Sequence, residues 1–140
     1  MDHQVKRIGV LTSGGAPGMN AAVRAVVRTA IRQDIECVGI RRGWHGLISG
    51  DFIQMEASSV SHIIDKGGTM LYTARSKEFM VPEGRKQALA TCKLLGLDGI
   101  VAIGGDGTFR GALALSRQAA EEGTALQVVG IPATIDNDIG

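Results

Sequence analysis

Short, uninterrupted apolar runs alternate along this chain with segments whose apolar residues recur at helical spacing. The clearest runs are Ile8–Leu11, Ile100–Ile103 and Val128–Ile131, and helical spacing extends over Asn20–Gln33 and from Pro82 to near Gly96. A strand without polar alternation is typically buried on both faces, as in a parallel sheet covered by helices. The alternation therefore predicts an α/β fold with a doubly wound, mostly parallel sheet, helices on both faces, and ligands at the carboxyl ends of the strands.

The remaining segments are less regular. They predict, in chain order, a strand at Cys37–Ile40, a glycine-punctuated loop at Gly43–Gly50, a small strand at Ile53–Met55, a helix from Ser59 to about Asp65, a long loop at Thr69–Val81 and a helix at Phe109–Glu122. Loops as long as Thr69–Val81 in a compact domain are usually functional.

Length and charge limit the classes of function. A chain of 140 residues with 44% hydrophobic content suits one domain over residues 1–140. Its net charge of +1 and 4% aromatic content give no reason to expect nucleic acid or membrane partners. Cys37 and Cys92 lack metal-ligand spacing, and the chain has neither a signal-peptide profile nor a membrane-length apolar run, so we expect a cytoplasmic protein. Because the chain stops just after an acidic loop, where such a fold continues into another helix, we expect it to be truncated.

Three turns should meet at the carboxyl edge of this sheet: Thr12–Gly18, Gly104–Thr108 and Ala133–Asp138. Glycine N–H groups and helix N-termini favour anions, and a carboxylate beside them can hold Mg²⁺. Together the turns predict a phosphoryl-transfer site. For the first turn, an ordinary tight connection between strand and helix remains an equal alternative.

Carboxylates in two of these turns are the candidate chemical groups. Asp106, between Gly105 and Gly107, is the predicted Mg²⁺ ligand, and the alternative is that it merely caps the following helix. Asp136 and Asp138 can point into one cleft, one orienting a ligand while the other takes a proton, although a solvated acidic turn is the common alternative.

Basic and aromatic residues are candidates of a second kind. Arg75 could neutralise a transferring phosphoryl group, and Arg24 and Arg28, on a basic helix face, could bind a second phosphorylated ligand. The alternative for all three is a solvated surface charge. Trp44 is more typical of a packing or interface residue than of a base-stacking one.

In these motifs the chain resembles the amino-terminal part of the 6-phosphofructokinase family, in the family's order. The matching segments are Ile8–Gly15, Pro17–Ala22, Gly67–Thr69, Ala74–Arg75, Gly104–Thr108 and Thr134–Ile139. The acidic segment is highly specific, whereas lipid and NAD kinases share a similar glycine-Asp-glycine turn.

The resemblance implies Mg²⁺-dependent transfer of the terminal phosphoryl group of ATP to the 1-hydroxyl of fructose 6-phosphate, a step of glycolysis. It assigns Asp136 as the base, Asp138 and Thr134 to orienting substrate and metal, and Asp106 to Mg²⁺. The nucleotide phosphates would be lined by Gly15, Arg75, Gly105, Gly107 and Thr108, with Trp44 at an aromatic position near ATP. Arg24 and Arg28 match an effector-nucleotide site between subunits, and the full-length protein would be a homo-oligomer, a tetramer or a dimer.

Three positions of the motifs are compared with the family's pattern, and the last two bear on the choice of phosphoryl donor. The family usually has an aspartate between the residues that are here Gly15 and Ala16, so the first turn is shorter by one charged residue. Gly107 resembles the ATP-using branch, because the pyrophosphate-using branch has an aspartate there. Ala133 matches neither the glycine of the first branch nor the lysine of the second.

Three other functions stay open from the sequence. The chain could be a non-catalytic nucleotide-binding remnant of the family, because the sugar-phosphate residues of the family's second half have no counterpart here. It could also be a pyrophosphate-dependent phosphofructokinase, or a kinase for another acceptor that shares the glycine-Asp-glycine turn.

Overall fold

One five-stranded sheet organises the chain. The computed structural model describes residues 5–13, 19–55 and 77–132. The strands are β1 (Arg7–Ser13), β2 (Glu36–Ile40), β3 (Phe52–Met55), β4 (Gly99–Gly104) and β5 (Gln127–Pro132). Their spatial order is β3-β2-β1-β4-β5, with every pair parallel except the antiparallel pair of β2 and β3. The predicted mostly parallel sheet is therefore confirmed, including the small strand after β2.

The described helices are α1 (Met19–Arg32), α2 (Gly43–Ser49), α3 (Pro82–Leu95) and α4 (Asp106–Glu121), with a 3-10 helix at Glu78–Met80. Pro82 takes the first position of α3, where a missing N–H leaves no hydrogen bond unmade. Gly96 ends α3 at φ 70°, a left-handed conformation that glycine adopts without a Cβ clash. No helix within the described residues is long and apolar enough to span a membrane.

Helices cover both faces of the sheet, as a doubly wound fold requires. Successive residues of β1 point to opposite faces, so Val10 and Leu11 belong to different apolar clusters. The Val10 cluster includes Val23 and Val27 of α1, whereas the Leu11 cluster is closed by residues of α2, α3 and α4, among them Leu47, Leu89 and Leu115. Burial of each such side chain contributes about 1.5–3 kcal/mol. The two clusters explain why β1, β2 and β4 carry no polar residue on either face at their centres.

The prediction of a loop at Gly43–Gly50 is wrong, because α2 occupies this segment. Its glycines fit the helix rather than break it. Gly43 and Gly50, at its two ends, have φ of 57° and 79°, and a Cβ on Gly46 would collide with the carbonyl oxygen of Arg41. The Arg41 guanidinium also forms an ion pair with Asp51 at 2.9 Å, which ties the residues on either side of the helix together.

Three other predicted segments differ from the structure. Thr12 belongs to β1 rather than to the following turn, α4 begins at Asp106 rather than at Phe109, and the end of the predicted loop Thr69–Val81 contains a 3-10 helix. The predicted helix from Ser59 to Asp65 lies outside the described residues, as does the rest of that loop.

The two buried cysteines predict an alkaline loss of stability. Burial raises the pKa of Cys37 to about 11 and that of Cys92 to about 12. As pH rises above about 9, these thiols ionise in the unfolded chain but stay protonated in the folded chain, so the free energy of unfolding should fall by about 1 kcal/mol per thiol and pH unit. Urea denaturation between about pH 8 and pH 10 measures this slope. The control is Cys37→Ala/Cys92→Ala, and an equal slope in that variant would contradict the prediction.

Candidate functional site

The carboxyl ends of three neighbouring strands lie on one edge of the sheet. Ser13 at the end of β1 pairs with Gly104 at the end of β4, and Gly104 pairs with Pro132 at the end of β5. Paired strands are about 4.8 Å apart, so Ser13 and Pro132 lie about 10 Å from each other across Gly104. The starting points of the three predicted turns are therefore brought together, whereas residues 14–18 and 133–140 lie outside the described residues.

The order in which strands are added to the sheet reverses between β1 and β4. From β1 the chain passes through α1 to β2 on one side, and from β4 it passes through α4 to β5 on the other side. Such a topological switch point leaves a crevice beyond the strand ends, which is where open α/β sheets bind ligands. The turn after β4 lies at this crevice.

The turn after β4 leads directly into the N-terminus of α4. Gly105 is the N-cap and provides no side-chain capping bond, while its carbonyl oxygen accepts a hydrogen bond from the Phe109 N–H at 3.0 Å. The first-turn N–H groups of a helix have no partner within the helix, and the helix dipole places partial positive charge there. The N-terminus of α4 is therefore suited to an anion such as a phosphate.

Gly105 and Gly107 lie at this N-terminus, and neither packing nor backbone conformation requires glycine at these positions. Among residues 5–13, 19–55 and 77–132, no atom lies within 4 Å of a Cβ on either residue beyond the immediate chain, and neither residue has a positive φ. The space beside them is open to solvent, and both residues are exposed. Absence of side chains here leaves room for a ligand to approach the backbone.

Asp106 is the first residue of α4 and is exposed. It is not the cap, because Gly105 holds that position. Within residues 5–13, 19–55 and 77–132, its carboxylate forms no ion pair, and these residues contain no group of three or more potential metal ligands. A single carboxylate still fits Mg²⁺, which commonly binds one or two protein carboxylates together with substrate phosphates.

Thr108 and Trp44 are both enclosed by the protein. Thr108 is 2% exposed, beneath the turn. Trp44 is 6% exposed, and its ring stacks on Phe79 with centroids 4.4 Å apart. Its indole also lies against Gly111 of α4, where a Cβ would be 2.6 Å from Nε1. Trp44 is thus a packing residue, as its sequence context indicated. Its position near a nucleotide stays a prediction.

The other predicted site residues divide into two groups. Arg24 and Arg28 lie on α1, where Arg24 is half-buried and Arg28 is exposed. The Nε of Arg24 is buried without a hydrogen-bond partner among the described residues. The residues outside the described part of the chain are Gly15, Arg75, Thr134, Asp136 and Asp138.

Sequence analysis missed the residues that pack around the turn. Phe109 lies against Gly130 of β5, where a Cβ would be 2.8 Å from Cδ1 of its ring, and Gly111 accommodates Trp44. A glycine inside a helical pattern usually has a packing reason, so Gly111 could have been recognised as a contact point. No sequence signal identifies which ring fills the space.

Comparisons with known proteins agree with one another. The phosphofructokinase family model matches residues 7–140. The ATP-dependent 6-phosphofructokinase of Bacillus subtilis is 57% identical over 136 residues, and ATP-dependent 6-phosphofructokinase 1 of Thermus thermophilus is 56% identical over 136 residues. Each match covers 96% of this chain but 41% of the relative, so the chain spans about two fifths of the length of these relatives.

Solved structures share the fold. A phosphofructokinase of Pichia pastoris in the T-state matches with a TM-score of 0.83 and 36% identity, over 99% of this chain and 16% of that one. A pyrophosphate-dependent phosphofructokinase from Nitrosospira multiformis matches with a TM-score of 0.82 and 20% identity, over 94% of this chain and 34% of that one. At 20% identity, the second match shows the fold alone.

The four glycines near the turn predict two different responses to alanine. Gly105→Ala and Gly107→Ala should change the free energy of unfolding by less than about 1 kcal/mol, because the new methyl group enters open space. Gly111→Ala and Gly130→Ala should lower it by about 1–3 kcal/mol, because the methyl group overlaps an aromatic ring. Urea denaturation of the four variants measures the difference. Equal destabilisation of both pairs would mean that protein atoms fill the space beside Gly105 and Gly107.

Proposed function

Since this chain belongs to the phosphofructokinase family, we propose that it forms the part of an ATP-dependent 6-phosphofructokinase that binds ATP and Mg²⁺ and provides the catalytic base. The reaction is transfer of the terminal phosphoryl group of ATP to the 1-hydroxyl of fructose 6-phosphate, giving fructose 1,6-bisphosphate. The observation that carries the proposal is the open, uncapped N-terminus of α4 at the switch point of the sheet. Identities of 56–57% with ATP-dependent enzymes support the same reaction.

The phosphates of ATP would bind at the N-terminus of α4. Backbone N–H groups of Gly105 and Gly107 can approach phosphate oxygens because no Cβ intervenes and the surrounding space is open. Gly15 and Thr108 would add contacts from the same edge. Arg75 would neutralise charge on the transferring group, as a guanidinium fork does well.

Asp106 would hold Mg²⁺ at this site. Its carboxylate is exposed beside the glycines and has no ion-pair partner among the described residues, so it is available to a cation. When bound, Mg²⁺ neutralises charge that develops on the phosphates during transfer.

The acidic segment that follows β5 would act on the sugar. Asp136 would accept the proton of the 1-hydroxyl as it attacks, while Thr134 and Asp138 orient the substrate and the metal. Support comes from β5, whose end at Pro132 lies beside Gly104, at the start of the turn that carries Asp106.

ATP is favoured over pyrophosphate as the donor by Gly107. The space beside Gly107 is open, and an aspartate there would put a side chain and a negative charge where phosphates of a nucleotide would lie. The 19–20% identical pyrophosphate-dependent neighbours share only the fold, whereas the curated relatives of higher identity are named as ATP-dependent.

The remaining partners belong to the full-length protein. Fructose 6-phosphate is the acceptor, and the protein is a cytoplasmic homo-oligomer. The exposed guanidinium of Arg28 and the partly buried one of Arg24 would bind a nucleotide effector on the α1 side of the sheet.

Two variants test the nucleotide site in this chain. Asp106→Asn removes the proposed metal ligand and Gly107→Asp fills the open space, so each should weaken binding of Mg·ATP by about tenfold or more, measured by isothermal titration calorimetry. Glu121→Gln, at the other end of α4, is the matched control and should leave binding unchanged. Wild-type affinity in Asp106→Asn would remove Asp106 as the metal ligand.

A second prediction tests the base in the full-length protein. Asp136→Asn should lower kcat for formation of fructose 1,6-bisphosphate by about 100-fold or more, because a general base contributes about 10²–10⁴-fold. Asp34→Asn is the control, since Asp34 is exposed and its left-handed conformation suits asparagine. A near-normal kcat in Asp136→Asn would exclude it as the base. If the wild type binds Mg·ATP but transfers no phosphoryl group, the chain is a non-catalytic nucleotide-binding module instead.

A further inference from the structure

Phe109 connects the two halves of the proposed site. It lies in the first turn of α4, and its ring rests on Gly130 of the neighbouring strand β5, where a Cβ would be 2.8 and 2.9 Å from Cδ1 and Cε1 of the ring. This contact is too close for any residue except glycine. The ring and the strand therefore occupy defined positions relative to each other.

The contact joins the first turn of α4 to the last residues of β5. On one side, the Phe109 N–H is bonded to the Gly105 carbonyl oxygen at 3.0 Å, so the ring belongs to the same helical turn as Asp106. On the other side, Gly130 pairs with Ala102 of β4 and lies two residues before Pro132, where β5 ends. The ring therefore packs against β5 two residues before the strand ends at Pro132.

Core packing alone does not account for Phe109. The residues of α4 that enter the core form a stripe of Thr108, Gly111, Ala112, Leu115 and Ala119. Phe109 lies beside this stripe, is half-buried, and belongs to neither apolar cluster. Its defined contact is the one with the edge of β5, a strand whose other residues are mostly exposed. The ring packs on β5, the outermost strand of the described sheet on this side, rather than entering either apolar cluster.

We infer that Phe109 is a positioning residue, which through Gly130 holds the end of β5, after which the chain continues to Asp136, against the turn that carries Asp106. The inference rests on the proposed function. Phe109 itself touches neither substrate nor metal. Its effect is on alignment, and a small misplacement of reacting groups costs rate more than it costs ground-state binding of ATP at the turn.

Steady-state kinetics of the full-length protein test this inference. Phe109→Ala removes the ring, Phe109→Leu removes its flat face but keeps apolar volume, and Gly130→Ala displaces the ring while leaving it intact. Each should lower kcat by about tenfold or more while KM for ATP changes by less than about threefold. Phe109→Tyr keeps the ring face and should restore kcat to within about threefold of the wild type. Leu113→Ala, an exposed position on the next turn of α4, is the control and should behave as the wild type.

Thermal unfolding sets the assay temperature, so that each variant is compared while folded. If Phe109→Ala does not fold, Phe109→Leu and Gly130→Ala carry the test. The inference is overturned if these folded variants keep kcat within about threefold, or if KM for ATP rises as much as kcat falls. The outcomes are separable from those of the proposed function. A wild type that cannot phosphorylate fructose 6-phosphate refutes the function, whereas an active wild type with insensitive Phe109 variants refutes only the role of Phe109.

Discussion

The parallel pairing of β1, β4 and β5 is the constraint on which the site depends. Their ladders align Ser13, Gly104 and Pro132 on one edge of the sheet. Parallel strands must be connected by crossovers, so each strand runs in the same direction and each connection toward a helix leaves from the same edge. Segments that are far apart in sequence therefore begin within about 10 Å of each other, whatever residues they contain. The reversal of strand order between β1 and β4 then opens the crevice beside the first of these starting points.

Glycines near this edge serve two distinct purposes. Gly111 and Gly130 lack side chains because aromatic rings occupy the space, Trp44 at the first and Phe109 at the second. Gly105 and Gly107 face open space that no described side chain fills. The four glycines cannot be told apart from the sequence alone. The structure shows that packing requires glycine at Gly111 and Gly130 but not at Gly105 and Gly107. The second kind is compatible with the proposed phosphate site, since no side chain separates the backbone from the open space.

Much of the fold was predictable because strands buried on both faces leave continuous apolar runs, such as Ile100–Ile103. The exception was α2, where Gly43, Gly46 and Gly50 indicated a loop. Those glycines instead allow left-handed backbone at the helix ends and close approach to the Arg41 carbonyl oxygen. Glycine content is ambiguous because a turn and a tight backbone contact both demand the missing Cβ. The location of Gly105 and Asp106 just beyond a strand end was predictable, but the partner of Phe109 depends on tertiary packing that no local pattern encodes.

The 3-10 helix Glu78–Met80 is also held in place by close packing. It follows Arg75 in the chain, and three contacts fix its position. Phe79 stacks on Trp44 with an interplanar angle of 13°, and its carbonyl oxygen accepts a hydrogen bond from Arg85 Nη1 at 2.9 Å. Gly84 in α3 lies so close to the Glu78 carbonyl oxygen that a Cβ would collide with it. Because Trp44 also rests on Gly111 of α4, one continuous set of contacts links the 3-10 helix to the helix that begins at Asp106. The 3-10 helix and α4 are thus held to each other through Trp44.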